Sequence, residues 1–237
     1  IRYLVINVKM DPTSNKLVRQ AIAAAVNRSE IAQKVFLGTM ETLYSLVPKG
    51  MWSHIDVFKD KYGDGNTELA KQLLRQAGYS EANKLRIELW YTPTHYGDTE
   101  ADVAQLIAKQ LEATGMIEVD IKSSEWATYV SQLRQGQMMV SLLGWYPDYI
   151  DPDDFLYPFL HSEANKWTGV GYQNPDVDRL LEEAASLTNN SQRAQIYEQV
   201  QQILADDVPY VPLLQGELIV VTQKNIDGIK LGPVMLM

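Results

Sequence analysis

Between Leu85 and Gly144 the hydrophobic period of the chain switches back and forth, and this alternation limits the possible folds more than any other feature. Leu85 to Tyr91 (LRIELWY) alternates apolar and polar side chains with the two-residue period of a strand. A loop, TPTHYGD, leads into a helix from about Thr99 to Thr114 that stops at Gly115. Ile117 to Ile121 alternates again, Ser124 is placed to cap a helix beginning EWATYV and ending at Gly136, and Met138 to Gly144 reads as a buried apolar strand. Strand, helix, strand, helix, strand is a βαβαβ unit, and its right-handed crossovers predict a largely parallel sheet in an α/β fold.

The last of these strands runs directly into the most chemically pointed stretch, Met138 to Phe159 (MMVSLLGWYPDYIDPDDFLYPF). A helix is predicted from about Pro152, with Asp151 as N-cap and proline at the first helical position. In open α/β sheets ligands bind outside the carboxyl ends of strands, and the loop beyond Gly144 is such an end. Trp145, Tyr146 and Tyr149 offer flat apolar walls there, with Asp148 as a charge among them. His95 lies in the loop after the preceding strand and should open on the same sheet edge.

The flanks are more ordinary. Ile1 to Val8 reads as a strand, and Val18, Ile22 and Val26 recur at helical spacing until Asn27. Ser29 to Leu37 predicts a second short helix, Thr39 to Gly65 reads as loop, and Thr67 is placed to cap the next helix. Asn174 and Ser191 are the expected caps of two later helices, ending near Leu187 and Asp206. Val208 to Leu214 contains Pro209 and Pro212 and is expected to be excluded from the sheet interior, whereas Glu217 to Thr222 is compatible with a strand. Without repeats or low-complexity tracts, the 237 residues read as one domain.

Charge and composition remove several function classes. A net charge of −9 argues against nucleic acid and against an anionic membrane surface. Cysteine is absent, which removes thiol catalysis, disulfides and zinc–thiolate sites. Apolar runs such as that near Leu213 to Val221 are strand-sized and too short to span a bilayer. The chain starts at Ile1, already inside a strand, so the expectation is a trimmed sequence whose targeting signal lies elsewhere.

Catalytic patterns are sparse. The three histidines, His54, His95 and His161, show no metal-ligand spacing, and all but His95 read as solvated loop residues. Asp148, Asp151, Asp153 and Asp154 have the density of a calcium loop but lack its turn glycine and distal glutamate. Spacing alone leaves a glycosidase-like carboxylate pair open. For Asp151, Asp153 and Asp154 the simpler role is to complement the dipole in the first turn of a helix. Trp126 and Trp145 are compatible with core or with a ligand wall. Neither a phosphate-cradling glycine loop nor a G-x-S-x-G elbow occurs, so a binding role leads over catalysis, with no cofactor or metal expected.

YLVINVKMDP, VRQAIAAAVNRSEI, ELAKQLLRQAGY, KLRIELWY, EWATYVSQLRQGQ, GWYPDYIDPDDF, GYQNPDVDRLLEEA and AQIYEQVQQILADDVPYVPL resemble, in this order, segments of the family 5 extracellular solute-binding proteins, the peptide and oligopeptide receptors of ABC importers. The resemblance covers essentially the whole chain. It implies one α/β lobe, residues 1–237, of a type II two-lobed periplasmic receptor, with the preceding lobe absent, a permease and its ATPase subunits as partners, and a periplasmic or lipid-anchored cell-surface location. By resemblance, Asp148 pairs with the α-ammonium of a peptide, and Trp145 and Trp126 line side-chain pockets. The backbone from Leu142 through Gly144 to Tyr146 then pairs with the extended ligand. A carboxylate supplies both charge and acceptors to a desolvated ammonium, and backbone pairing gives affinity without reading sequence.

Two departures bear on specificity. Dipeptide-type members carry an arginine for the ligand carboxylate in the loop that here reads TPTHYGD, where His95 and Tyr96 stand instead. A basic residue that some oligopeptide members place before the glycine–tryptophan pair is replaced by Leu142. Both favour a longer peptide over strict dipeptide selection. The alternatives are a sugar, opine or nickel chelate on the same scaffold and, more remotely, a carboxylate-based hydrolase.

Overall fold

In the computed structural model, which describes residues 1–217 and 219–229, the first strand, β1 (Arg2–Ile6), lies inside the sheet with Tyr3, Leu4 and Ile6 fully buried. It is followed by α1 (Lys16–Ala25), α2 (Arg28–Lys34), β2 (Met40–Thr42), α3 (Val57–Tyr62) and α4 (Thr67–Gln76). The βαβαβ unit then appears as β3 (Leu85–Tyr91), α5 (Glu100–Glu112), β4 (Ile117–Ser123), α6 (Trp126–Arg134) and β5 (Val140–Gly144). The order continues with α7 (Asp153–Leu160), a 3-10 turn at Asn165–Thr168, α8 (Pro175–Ser186), α9 (Asn190–Asp207) and β6 (Tyr210–Gly216).

The sheet runs β2-β6-β1-β5-β3-β4. β3 pairs in parallel with β4, from Leu85 opposite Ile117 to Tyr91 opposite Ser123, and in parallel with β5. β1 is antiparallel to both β5 and β6, and β2 is antiparallel to β6. The fold is therefore α/β with a mixed sheet flanked by helices. Its parallel character is confined to the βαβαβ unit, because the crossover rule governs only strands joined through that unit's helices.

β6 corrects the sequence reading. It lies between β1 and β2, although it carries Pro212. The ladder shifts register between Arg2 and Tyr3, and Pro212 falls opposite Tyr3 just past that irregularity. Such breaks in pairing are where a sheet tolerates a residue without an N–H. The Pro212 carbonyl accepts from Arg28 Nε at 2.7 Å. Arg28 is fully buried, with its guanidinium 5.1 Å from the Tyr44 ring and 5.8 Å from that of Phe58, and burial lowers its pKa to about 10.

Smaller corrections concern caps and short elements. Residues 39–65 contain β2 and α3, both too short to leave a clear period. Asn66 and Asn189, not Thr67 and Ser191, accept the first helical N–H groups of α4 and α9, while Asn174 caps α8 as expected. Ser124 does not cap α6; its hydroxyl donates to Gln132 instead. Glu217 to Thr222 forms no strand among the described residues, with Leu218 outside them. One continuous apolar core joins residues from Tyr3 to Leu214 across the sheet and its helices.

Candidate functional site

β5 carries Val140, Ser141, Leu142 and Leu143 through the core and then leaves the sheet. Pairing with the first strand outlasts it by one residue: Trp145 N donates to the Ile1 carbonyl at 2.9 Å and Ile1 N to the Trp145 carbonyl at 2.8 Å. The Trp145 ring stands edge-on to Phe159 at 5.3 Å and tilted against Trp167 at 5.3 Å.

The loop beyond Trp145 is held by carboxylates that face inward. Asp154 Oδ2 accepts from Trp145 Nε1 at 3.0 Å and from the Asp148 backbone N–H at 3.1 Å. The Asp154 residue is 2 % exposed; burial raises the pKa of its carboxyl, and these two donors pull the other way. Asp153 accepts from the Tyr149 hydroxyl at 2.8 Å and from the Tyr197 hydroxyl at 3.2 Å. Asp151 takes both terminal nitrogens of Arg193, at 2.8 and 2.6 Å. Its carboxylate also accepts the Asp153 N–H at 3.0 Å, but the N-cap of α7 is Pro152, one residue later than expected, so the proline precedes the first helical residue instead of occupying it. These three carboxylates thus make specific bonds beyond complementing the helix dipole. Among the described residues no group of three or more histidines or carboxylates is placed to hold a metal ion.

Asp148 is different. It is exposed, and its carboxylate has no hydrogen bond or ion pair among the described residues. Tyr146 and Tyr149, on either side in the loop, are also exposed, and Tyr149 is tied to Asp153.

A cleft of about 460 Å³ opens where β5 ends. Gly144, Trp145 and Tyr146 line it together with Phe36, Met40 and Met51 from the segment around β2, and with Arg2 and Tyr96. Asp148 directly follows the lining residue Pro147. His95 and Trp126 form a separate aromatic surface, stacked at 3.5 Å with 4° between their planes. Tyr96, edge-on to both, connects that surface to the cleft. The partial burial of His95 lowers its pKa, as does the charge of Arg2.

Leu142 does not belong to the site. Its side chain is in the core, it lies opposite Leu4 in the β1 ladder, and its carbonyl accepts from the Tyr129 hydroxyl at 2.8 Å. The expected ligand-pairing role of its backbone is therefore corrected, since both sides of the strand are occupied at that residue. Gly144 is at the cleft for a steric reason. A Cβ there would lie 2.9 Å from Tyr96 Cε1 and 3.1 Å from Arg2 Nη1, and its carbonyl accepts from the Tyr96 hydroxyl at 3.2 Å.

Sequence reasoning missed Arg2 and undervalued Tyr96 and Asp154. Arg2 Nη2 donates to the Tyr96 carbonyl at 2.8 Å and lies 3.3 Å from Glu100 Oε1, and its guanidinium carbon is 4.0 Å from the Tyr96 ring centre. Glu100 is buried; burial raises the pKa of its carboxyl and Arg2 offsets part of that rise. A lone arginine in a strand carries no sequence signal for this arrangement, which joins residues 94 positions apart.

An α/β fold whose mixed sheet opens an aromatic cleft at the end of a parallel strand is the architecture of the solved periplasmic binding proteins that this chain superposes on. The chain belongs to the bacterial extracellular solute-binding proteins of family 5, whose profile, described as family 5 Middle, matches residues 1–167. It is 32% identical over 216 residues to heme-binding protein A of Haemophilus influenzae, covering 90% of this chain and 39% of that protein. It is 27% identical over 238 residues to the dipeptide-binding protein of Escherichia coli, covering 98% of this chain and 43% of that one. The solved dipeptide-binding protein of Pseudoalteromonas sp. SM9913, in complex with Met-Leu, superposes with a TM-score of 0.88 at 28% identity, over 99% of this chain and 46% of that one. The chain thus spans less than half the length of each of these relatives. These relatives are binding proteins.

Proposed function

We propose that this chain is the C-terminal ligand-binding lobe of a larger two-lobed receptor that captures peptides by their free amino terminus outside the cytoplasmic membrane and delivers them to an ABC permease driven by its ATPase subunits. The observation that carries the reading is Asp148, an exposed carboxylate with no partner among the described residues, placed beside an aromatic cleft. An ammonium group leaving water needs an opposite charge with acceptor oxygens, and Asp148 offers both. Trp145 and Tyr146 line the cleft with large aromatic surface that tolerates varied side chains, which suits a receptor for many sequences. The dipeptide-binding relatives support the same ligand class. No catalytic step is invoked: Asp151, Asp153 and Asp154 are committed to Arg193, Tyr197, Tyr149 and Trp145.

The test is calorimetry on the full-length protein with Met-Leu and N-acetyl-Met-Leu. The wild type should bind the free peptide, and Asp148→Asn should weaken it by about thirtyfold or more, the size expected when one side of a desolvated charge pair is removed. The acetylated peptide should bind both proteins equally weakly. Undiminished binding of Met-Leu by Asp148→Asn would overturn the reading.

A second reading has its own observation. Met40, Met51 and Tyr146 bring two thioethers and a phenol to a largely apolar cleft, and these are ligand types used for haem iron. The haem-binding relative makes hemin the probe. A shifted, saturable Soret band on titration would favour it over peptides.

A further inference from the structure

Two walls of the cleft come from distant segments of the chain, the stretch with Pro48 and Met51 and the loop with Trp145, Tyr146 and Ile150. Both are tied to α9, none of whose residues lines the cleft. Arg193, Tyr197 and Gln201 recur at four-residue spacing and so share one face of that helix. At one end, Arg193 grips Asp151 with both terminal nitrogens, and the Tyr197 hydroxyl donates to Asp153 at 3.2 Å. At the other, Gln201 Nε2 donates to the Ser53 carbonyl at 2.8 Å, and its Oε1 accepts from the Ser45 hydroxyl at 2.6 Å. The stripe is itself continuous: Arg193 Nη2 donates to the Tyr197 hydroxyl and Gln201 Nε2 to the Tyr197 carbonyl, each at 3.0 Å. Trp52, next to the lining residue Met51, joins it, with its ring 5.3 Å from the Arg193 guanidinium and 5.9 Å from the Tyr197 ring. Tyr197 and Gln201 are fully buried, and the Arg193 side chain is 14 % exposed. Apolar residues would bury this face of the helix without a desolvation penalty. What hydrogen bonds of fixed length and direction add is a set distance between the segments they join.

We infer that Arg193 is a positioning residue for ligand binding: without lining the cleft, it holds the loop of Asp148 in register with the Met51–Trp52 segment, so that the Asp148 carboxylate is presented at a fixed place. The assignment rests on the proposed capture of a peptide amine by Asp148. Arg193 has an electrostatic part in the same task. Four aspartates, Asp148, Asp151, Asp153 and Asp154, crowd this stretch, and among the described residues Arg193 is the one cation paired with any of them. Neutralising Asp151 removes a repulsion that would otherwise spread the loop.

The experiment is a double-mutant cycle on the full-length protein. Met-Leu binding is measured by calorimetry for the wild type, Asp148→Asn, Arg193→Gln and the double variant, with a melting curve for each. Arg193→Gln should weaken Met-Leu by about tenfold in the wild-type background and hardly at all in Asp148→Asn, because displacing the loop has no further effect once its carboxylate is gone. Arg193→Lys should recover part of the loss, since an ammonium keeps the charge but lacks the planar fork that takes both carboxylate oxygens. A residue that merely stabilises the fold would lower the melting temperature and leave affinity unchanged, or weaken it equally in both backgrounds. Either result would overturn the assignment and leave Asp148 in its role. Should Arg193→Gln be unfolded at the assay temperature, the same cycle is run with Arg193→Lys, and equal losses in the two backgrounds, or none, overturn the assignment there. Undiminished binding by Asp148→Asn, or no binding of Met-Leu by the wild type, removes the peptide reading and the role of Arg193 with it.

Discussion

The indole nitrogen of Trp145 donates to Asp154 across 3.0 Å, and the same carboxylate oxygen receives the backbone N–H of Asp148. One buried acid therefore fixes both the aromatic wall and the carboxylate proposed to meet the ligand. The loop is set by α7 below it rather than by its own turn chemistry.

Replacing Asp154 with alanine leaves the indole and the Asp148 amide without their acceptor. The expected cost is about 1–3 kcal/mol of folding stability, with a shift in tryptophan emission and weaker ligand binding. Urea denaturation followed by fluorescence measures the first two together. An unchanged midpoint and spectrum would show that the loop is held by other contacts.

Gly144 is crowded by the two residues that complete the cleft, Tyr96 and Arg2. Gly144→Ala should push the Tyr96 ring off its position, destabilise the fold by about 1–3 kcal/mol and lower ligand affinity. Equilibrium unfolding and calorimetry, read side by side, check this. Wild-type affinity in the alanine variant would mean that the cleft does not need the present Tyr96 position.

Glu100 supplies a pH dependence of definite sign. Burial holds its carboxyl above the ordinary 4.5, so the folded state binds more protons than the unfolded state between the two values. Its contribution to stability is fully present below about 4.5, falls as pH rises through the folded pKa, and is level above it. Glu100→Gln lacks this titration. The stability of the wild type relative to Glu100→Gln should therefore decline with rising pH across that window, which urea midpoints from pH 4 to 7 would record. A rising difference would mean that the pull of Arg2 outweighs burial.

Much of the fold was legible because its signals are local. β3 falls on Leu85–Tyr91 as its alternation predicts, and Asn174 begins α8 as a cap should. The end of β5 at Gly144 and the acidic helix start after Asp151 were also readable, since strand period, turn residues and capping act over a few positions. β6 was misread for the opposite reason. A proline argues against an interior strand locally, while the register shift beside Tyr3 and the Arg28 bond to its carbonyl come from distant segments.

The candidate site divides in the same way. Sequence by itself determined the aromatic and acidic loop, with Trp145, Tyr146 and Asp148 following a strand end, because a run of adjacent residues keeps its neighbours in any fold. Only the tertiary structure decided that Leu142 is sealed in the core, that Asp154 underpins Trp145, and that Arg2 reaches the loop of Tyr96. Those outcomes depend on which strands become neighbours and what burial then demands of each polar atom, and neither is written in the spacing of residues along the chain.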